Sequence, residues 1–286
     1  MKIAITAASG QLGNAIIKEA LQHTDADNVI AIARSPERVS FPDLEVRKGD
    51  YNNEGEFQEA LSGVDTLLLV SGMDKPEKRV QQHRNVIEAA QRSGVQKLVY
   101  TSIFGEAGKC AFDSIILANR KTEQDIRESG LDWSIGRNGL YLDADLDYLD
   151  YYFKAGKIIN CADNGRCGYT TREELAFAYW KLLSEAKHNQ KTYNLTGESI
   201  TQYELTAMIN EVFGTSLIYE PIGVEVYKQD RKAVHGAFFG GIIAGIYEGI
   251  RNGAFDVESD FYAVTGRMHL PVREVIKAYK EMTGKN

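Results

Sequence analysis

The chain has 286 residues, enough for one large domain or two smaller ones at roughly 150 residues per domain. Hydrophobic residues make up 43% of it and charged residues 26%, a composition that excludes a disordered or fibrous protein. The net charge of −7 argues against a nucleic-acid or membrane-surface partner, and three cysteines with five scattered histidines predict neither a disulfide framework nor a metal site. We therefore expect a cytoplasmic protein.

The first half of the chain alternates short, apolar, β-branched runs with amphipathic stretches. This alternation is typical of βαβ units that build a parallel sheet. Strands are predicted at Lys2 to Thr6, Val29 to Ala33, Glu45 to Lys48, Thr66 to Val70, Lys97 to Thr101 and Trp133 to Gly136, with a helix over Gln11 to Gln22. The fold class predicted is α/β, a doubly wound parallel sheet of the Rossmann type.

The regular alternation ends near Gly139, which predicts two parts. Residues 1–139 should form the Rossmann domain, and residues 140–286 a smaller α+β substrate-binding lobe partly interleaved with it. Capping boxes predict helix starts in the lobe at Thr171 with Glu174 and at Thr201 with Glu204. The glycine-rich segment from Gly236 to Ile250 has three interpretations: a packed helix, a lid over a pocket, or a dimer surface.

A glycine-containing turn joins the first predicted strand to the first predicted helix and reads TAASGQLG from Thr6 to Gly13. At this place in a doubly wound sheet, backbone N–H groups and the positive end of the helix bind the pyrophosphate of a dinucleotide. Gly10 lets the backbone approach the phosphates and Gly13 lets the helix pack near the strand, whereas Ala7 replaces the first glycine of the fingerprint. The cofactor-binding residues predicted here are Thr6, Ala7, Ala8, Ser9, Gly10, Gln11 and Leu12.

The second predicted strand is followed by Arg34, where a site for NAD would carry an acidic residue. A guanidinium can form paired hydrogen bonds with the 2′-phosphate of NADP, so Arg34 predicts NADP(H) as the cofactor. Ligands of doubly wound sheets bind at the carboxyl ends of the strands. Further contacts are therefore predicted from Asp50 and Tyr51 to the adenine, and from Ser71, Gly72 and Met73 to the middle of the cofactor.

None of the 15 tyrosines is followed by a lysine four residues later. In ordinary short-chain dehydrogenases that lysine lowers the pKa of the tyrosine, which protonates the substrate oxygen. The absence of the pair argues against a simple alcohol dehydrogenase or sugar epimerase. It favours a reaction that needs little acid–base catalysis.

Several motifs spread over nearly the whole chain. They are Ala7 to Gly13, Arg34, Gly49 to Tyr51, Gln82 to Ile87, Tyr100 to Ser102, Thr122-Glu123, Arg137 to Tyr141, Tyr193 to Leu195 and Thr265 to Arg267. Together they resemble the NmrA-like branch of the atypical short-chain dehydrogenase/reductases, which includes bacterial NADPH:quinone reductases and triphenylmethane reductase. The resemblance implies an NADPH-binding domain, a small C-terminal lobe and a substrate cleft between them.

The resemblance also implies roles for single residues. The loop from Arg137 to Leu142 would flank the nicotinamide, and Thr101 its ribose. Asn119 stands where relatives often carry histidine. Lys121, two residues later, is a candidate contact for the ribose or the substrate. The catalytic candidates are Lys121, Asn138 and Tyr141. The further predicted cofactor contacts are Thr101, Lys121, Arg137, Asn138 and Gly139. The residues predicted to form the wall of the substrate pocket are Tyr141, Tyr169 and Phe238.

A quinone suits a site with few acid–base groups, because hydride transfer leaves a stabilised phenolate that can take its proton from water. We therefore predict an NADPH-dependent reductase of quinones or similar planar, electron-poor compounds, acting on a small molecule as a monomer or homodimer. The alternative is a non-catalytic NADP(H)-binding redox sensor of the NmrA kind, which Asn119 and the missing tyrosine–lysine pair favour. The acidic run Asp143, Asp145, Asp147 and Asp150 is predicted to be a solvated helix face.

Overall fold

The computed structural model describes residues 1–285, and its elements are numbered here along the chain. The strands are β1 (Ile3–Ile5), β2 (Val29–Ala33), β3 (Glu45–Lys48), β4 (Thr66–Val70), β5 (Lys97–Ile103), β6 (Asp132–Asn138), β7 (Leu140–Tyr141), β8 (Lys157–Asn160), β9 (Arg166–Thr170), β10 (Lys191–Leu195), β11 (Ser199–Thr201) and β12 (Ile218–Pro221). The helices are α1 (Gln11–Ala20), α2 (Glu54–Ala60), α3 (Pro76–Arg92), α4 (Asp113–Arg127), α5 (Leu142–Asp147), α6 (Leu149–Ala155), α7 (Arg172–Ser184), α8 (Gln202–Phe213), α9 (Val224–Arg251), α10 (Phe261–Thr265) and α11 (Val272–Thr283).

Seven strands form one parallel sheet in the order β10-β6-β5-β4-β1-β2-β3. Its central strands are apolar on both faces because helices cover both. Ile16 of α1 and Leu182 of α7 share one buried cluster with β1, whereas Phe57 of α2, Val86 of α3 and Ile126 of α4 share another on the opposite face. The predicted doubly wound α/β fold is confirmed, and the strand order reverses between β1 and β4, which is where such sheets bind ligands.

The chain returns to this sheet after residue 139. Helix α7 packs beside α1, and β10 pairs with β6 as an added edge strand. The second lobe is therefore built from the segments before and after this return, with a three-stranded sheet β11-β9-β7 and the pair β12-β8. Its core includes residues from α5, α6, α8, α9 and α11. A division at residue 139 thus describes the cofactor strands well but cuts through the large sheet.

The segment from Gly236 to Ile250 is a packed helix. Helix α9 breaks at Gly236, whose φ of 79° is outside the helical region, and the chain folds back so that a Cβ on Gly240 would lie 2.4 Å from the carbonyl oxygen of Arg231. A Cβ on Gly245 would likewise lie 2.7 Å from the backbone nitrogen of Phe112. The glycines therefore permit close contact between backbones, which offsets their cost of about 1 kcal/mol in a helix.

Helix α9 is the helix of the described chain that is long and apolar enough, by length and composition, to cross a membrane. The break at Gly236 divides it into residues 224–235 and 237–251. Each part is shorter than the roughly 20 residues that span a bilayer.

The two predicted capping boxes differ. At Thr201 both halves form, because the Glu204 carboxylate accepts a hydrogen bond from the Thr201 backbone N–H. At Thr171 only the hydroxyl cap is present. The Glu174 carboxylate instead accepts paired hydrogen bonds from Arg267, because the chain after α10 brings that guanidinium beside it.

Candidate active site

The turn between β1 and α1 has the geometry of a phosphate loop. Ala7 lies in the left-handed region with φ of 50°, a conformation that favours glycine and holds this turn despite the methyl group. Gly10 precedes α1, which has neither a side-chain cap nor an acidic residue in its first turn. The first backbone N–H groups of the helix are therefore directed at the loop without a protein partner, as anion binding requires.

Hydrogen bonds beneath the loop join it to the neighbouring strands. The Thr6 hydroxyl lies 2.6 Å from the Tyr51 hydroxyl and accepts from the Val70 backbone N–H at 2.9 Å. Tyr51 donates to the carbonyl oxygen of Val70 at 2.6 Å, and burial raises the pKa of its phenol. The hydroxyl of Tyr51 therefore supports the loop, whereas its predicted contact with adenine stays a prediction for the ring.

A second network follows β4 and β5. The Ser71 backbone N–H donates to the Thr101 hydroxyl at 2.8 Å, and the Ser71 hydroxyl donates to Asn119 Oδ1 at 3.1 Å. The Tyr100 hydroxyl donates to the same Asn119 oxygen at 2.7 Å. Asn119 thus accepts two hydrogen bonds and joins the ends of both strands.

His83 supports the loop after β4. Its Nε2 accepts from the Gly72 backbone N–H at 3.0 Å, so Nδ1 carries the proton and donates to the Thr122 hydroxyl at 2.9 Å. Burial, with a smaller contribution from the charge of Arg79, lowers the pKa of His83 to about 3. The imidazole is therefore neutral and structural at physiological pH.

Arg79 is a buried cation without a partner. Arg79 is 4% exposed, and among residues 1–285 its side chain forms neither a hydrogen bond nor an ion pair; its Nε is enclosed and unsatisfied. The guanidinium is near Tyr100 and Asp74, at the carboxyl ends of β4 and β5, and burial lowers its pKa. A buried charge is costly unless something pairs with it, so this position is suited to an anionic ligand.

Arg34 and Asp50 lie together at the carboxyl ends of β2 and β3. Arg34 is exposed directly after β2, so its guanidinium is available to a ligand. A hydrogen bond from the Asn52 backbone N–H lowers the pKa of Asp50, and the charge of Arg34 lowers it further. The strand order therefore places both residues at the same edge of the sheet as the phosphate loop, and their contacts with the cofactor stay predictions. Met73, which was predicted to contact the middle of the cofactor, follows β4 and is 70% exposed.

The end of β6 carries a chain of polar side chains. Asn138 Oδ1 accepts from the Tyr179 hydroxyl at 2.5 Å, and Asn138 Nδ2 donates to the Tyr141 hydroxyl at 3.0 Å. Because Tyr141 accepts this bond, its own proton is free to donate to another oxygen. Burial raises the pKa of Tyr141, so the phenol stays protonated at neutral pH. A Cβ on Gly139 would lie 2.6 Å from the Thr196 hydroxyl, which explains why this residue lacks a side chain.

Two residues predicted to contact the cofactor have side chains that bind other residues of the protein instead. Arg137 forms paired hydrogen bonds of 2.9 and 2.7 Å with the buried carboxylate of Glu123, because successive residues of a strand point to opposite faces and Arg137 faces α4. Its side chain is therefore withdrawn from the cleft. Lys121 pairs with Asp125 at 3.2 Å. It lies two residues from the inward-facing Asn119 and so occupies the outer face of α4, and the structure does not support its predicted catalytic role.

A cavity of ≈ 520 Å³ adjoins Tyr141 in the second lobe. Seven tyrosines line it: Tyr141, Tyr148, Tyr151, Tyr152, Tyr169, Tyr227 and Tyr247. The predicted wall residues Tyr141 and Tyr169 are among them, but Phe238 is not. Phe238 is on the opposite side of α9 from Ile243 and Tyr247, which face the cavity, and it packs against Phe239.

The acidic run after Tyr141 is not one solvated face. The helix breaks at Tyr148, and its first part, α5, turns Asp145 inward to line the cavity at 6% exposure. Asp143 pairs with Arg172 at 3.1 Å, while Asp147 is exposed. The predicted solvated helix is wrong for Asp143 and Asp145 because the expected single helix is two short ones with different faces.

The sequence between residues 7 and 183 matches the family model described as NAD(P)H-binding. The chain belongs to this NAD(P)H-binding family. Quinone oxidoreductase 2 of Escherichia coli (strain K12) is 32% identical over 238 aligned positions, and the match covers 81% of this chain and 82% of that protein. An NmrA-like family domain-containing oxidoreductase of Aspergillus flavus is 28% identical over 291 residues, covering 97% and 94%.

The structure of Citrobacter sp. triphenylmethane reductase complexed with NADP(H) matches with a TM-score of 0.90 and 32% identity, covering 97% of this chain and 100% of that one. The predicted resemblance to NmrA-like reductases and the prediction of an NAD(P)H-dependent oxidoreductase are confirmed. The residues fit such a cofactor, because the uncapped N-terminus of α1 and the unpaired guanidinium of Arg79 both suit an anionic dinucleotide.

Proposed function

We propose that this protein transfers hydride from NADPH to a quinone or a similar planar, electron-poor compound. The observation that carries the proposal is the aromatic cavity, which begins at Tyr141, directly after the strand end expected to flank the nicotinamide. Tyrosine faces can hold a flat ring by stacking. Hydride transfer to such a ring depends mainly on how well it is positioned.

Three features of the chain would hold NADPH. The N-terminus of α1 would bind the pyrophosphate, Arg34 the 2′-phosphate, and Arg79 a further anionic group near β4 and β5. NADPH supplies the hydride when bound. The preference for NADPH over NADH rests on Arg34, which is exposed where an NAD-specific site carries an acid.

Tyr141 would orient the substrate. Its hydroxyl accepts from Asn138 and has a proton to donate into the cavity, so it can hydrogen-bond a quinone oxygen. That hydrogen bond strengthens as the oxygen gains negative charge. Most of the cavity lining beyond Tyr141 is aromatic or apolar, with Glu220, Asp230, Arg231 and His235 among its polar members, and such a lining favours planar aromatic substrates.

The names of the relatives support this assignment. Quinone oxidoreductase 2 and triphenylmethane reductase are named for a quinone and a triphenylmethane compound, and the NmrA-like relative is described as an oxidoreductase. These names favour an enzyme over the alternative of a redox sensor. The cytoplasmic location and the monomeric or homodimeric state stay predictions.

The test is loss of NADPH absorbance with a panel of simple quinones. Turnover by the wild type should fall about tenfold or more in Tyr141→Phe, because one hydrogen bond to developing charge is lost. Tyr262→Phe is the matched control, since Tyr262 is 61% exposed and does not line the cavity. Tight NADPH binding without turnover of any quinone would refute the reductase proposal and leave the sensor.

A further inference from the structure

The substrate cavity contains one buried carboxyl group, that of Asp145 on α5. Its Oδ1 accepts from the hydroxyls of Tyr152 at 3.1 Å and Tyr247 at 3.4 Å. Its Oδ2 accepts no hydrogen bond from any residue among 1–285. Asp145 lines the cavity, so this second oxygen is available to a ligand there.

Asp145 also lacks a cationic partner among the described residues. The other strongly buried acids differ: Glu123 is bound by Arg120, Arg127 and Arg137, and Glu174 by Arg267. Burial without a cation favours the protonated carboxyl. Asp145 is therefore set apart from the acids whose charge stabilises the fold.

The titratable groups that face Asp145 come from three elements. They are Tyr152 of α6, Tyr227 and Tyr247 of α9, and Cys167 and Tyr169 of β9. These five are weak acids that stay neutral here, because burial raises the pKa of each. Glu220 of β12 and Asp230, Arg231 and His235 of α9 also line the cavity. Burial raises the pKa of Asp145 to about 6, against which the two tyrosine hydrogen bonds act. A carboxyl group in this range can give up a proton near neutral pH, whereas the phenols cannot.

Asp145 lies four residues after Tyr141. Tyr141 is the N-cap of α5 and Asp145 lies in the first turn of that helix, and both line the cavity. A planar substrate held against Tyr141 therefore occupies the cavity that the carboxyl group lines. Tyr141 can donate a hydrogen bond to one oxygen of the substrate, and Asp145 can contact the other oxygen.

We propose that Asp145 is the proton donor to the reduced substrate, a role that rests on the proposed function. Hydride adds two electrons to the quinone and leaves the hydroquinone anion. The O–H bond of the Asp145 carboxylic acid breaks, an O–H bond forms on the phenolate oxygen, and the carboxylate regains its proton from solvent. A general acid of this kind contributes about 100-fold or more to turnover.

The variants are Asp145→Asn, which keeps an acceptor for Tyr152 and Tyr247, and a control. Asp147→Asn makes the same change on the exposed face of α5. Thermal unfolding and NADPH affinity show whether each variant is folded. The unfolding temperature of each variant should match that of the wild type. The NADPH affinity should agree with that of the wild type within about threefold, because Asp145 is in the substrate cavity and not at the phosphate loop.

For quinone reduction we expect kcat to fall about 100-fold in Asp145→Asn with little change in KM. In the wild type, kcat/KM should fall as pH rises through about 6, because the protonated acid is required, and the variant should lack this dependence. Asp147→Asn should behave as the wild type. An unchanged kcat in Asp145→Asn, or a pH profile that this substitution leaves unchanged, would overturn the proposal.

A binding measurement separates this inference from the proposed function. Calorimetry of 4-nitrophenol binding at mildly alkaline pH, in buffers of different ionisation enthalpy, measures proton uptake when the phenolate enters the cavity. Proton uptake is expected in the wild type, because the bound phenolate and the Asp145 carboxylate are two anions in one apolar site and must share a proton. It is not expected in Asp145→Asn, which has no carboxylate there. If quinones are not reduced but uptake depends on Asp145, the carboxyl role stands and the quinone assignment fails. Equal uptake in both proteins would refute the role of Asp145.

Discussion

Gly13→Ala tests whether the contact between α1 and the phosphate loop controls cofactor binding. A Cβ on Gly13 would lie 2.4 Å from the Ala7 carbonyl oxygen and 2.9 Å from its carbonyl carbon, so α1 must withdraw by about 1 Å to restore an ordinary contact. Alanine is favoured over glycine inside a helix by about 1 kcal/mol, but overpacking against fixed atoms costs about 1 to 3 kcal/mol. We expect the free energy of unfolding to fall by up to about 2 kcal/mol. NADPH affinity should fall about tenfold or more, because the N–H groups of the first turn move with the helix.

The matched control is Gly55→Ala in α2. The nearest atom to a Cβ there is Asn53 Oδ1 at 3.5 Å, an ordinary contact, so the variant should gain up to about 1 kcal/mol from helix propensity. Thermal unfolding measures the stability of both variants, and calorimetric titration measures their NADPH affinity. The reasoning is refuted if Gly13→Ala is stabilised as much as Gly55→Ala and binds NADPH as the wild type does.

Three further outcomes are expected. Arg34→Ala should weaken NADPH binding by about 1.5 to 3 kcal/mol and leave NADH binding unchanged, because one charge-assisted contact to the 2′-phosphate is lost; equal losses in the two titrations would contradict this role. Arg79→Met should leave the protein without cofactor as stable as the wild type or more so, since an unpaired buried charge is removed, while NADPH affinity falls about tenfold; unfolding midpoints with and without NADPH measure both effects, and unchanged affinity would exclude Arg79 from the site. His83 is neutral in the folded protein down to a pKa of about 3 and titrates at 6.5 when unfolded, so the unfolded state binds more protons between these values. Stability should therefore decrease by about 1.4 kcal/mol for each pH unit below 6, and urea unfolding of His83→Gln should show a weaker dependence.

The sheet could be predicted because burial on both faces leaves a direct signal in the sequence. Runs such as Val29 to Ala33 and Thr66 to Val70 are continuously apolar, and they end at residues of the candidate site. Strand β10 escaped prediction because an edge strand is only partly buried, and its sequence from Lys191 to Leu195 is polar. The phosphate loop and Arg34 followed from their positions relative to these strands.

Most of the tyrosine-lined cavity could not be predicted, because its residues come from distant elements. Tyr152, Tyr169, Tyr227 and Tyr247 are on α6, β9 and the two halves of α9, and they meet only because Gly236 reverses the chain. The clustered tyrosines of residues 148–152 were the one local signal. Side-chain direction was the other missing quantity: Lys121 follows Asn119 by two residues and so faces solvent, which residue type alone does not reveal.

The pKa values in the cavity explain how this site can work without the tyrosine–lysine pair. A lysine beside a tyrosine lowers the pKa of its phenol enough for proton transfer. Here the guanidinium of Arg172 is 5.5 Å from the ring of Tyr141 and lowers the pKa, but burial acts more strongly and the net change is upward. Tyr141 can therefore donate a hydrogen bond but is a poor source of protons. In the proposed reaction, Tyr141 supplies the hydrogen bond and a different group supplies the proton, and among the described cavity residues Asp145 is the carboxyl whose burial brings its pKa to about 6.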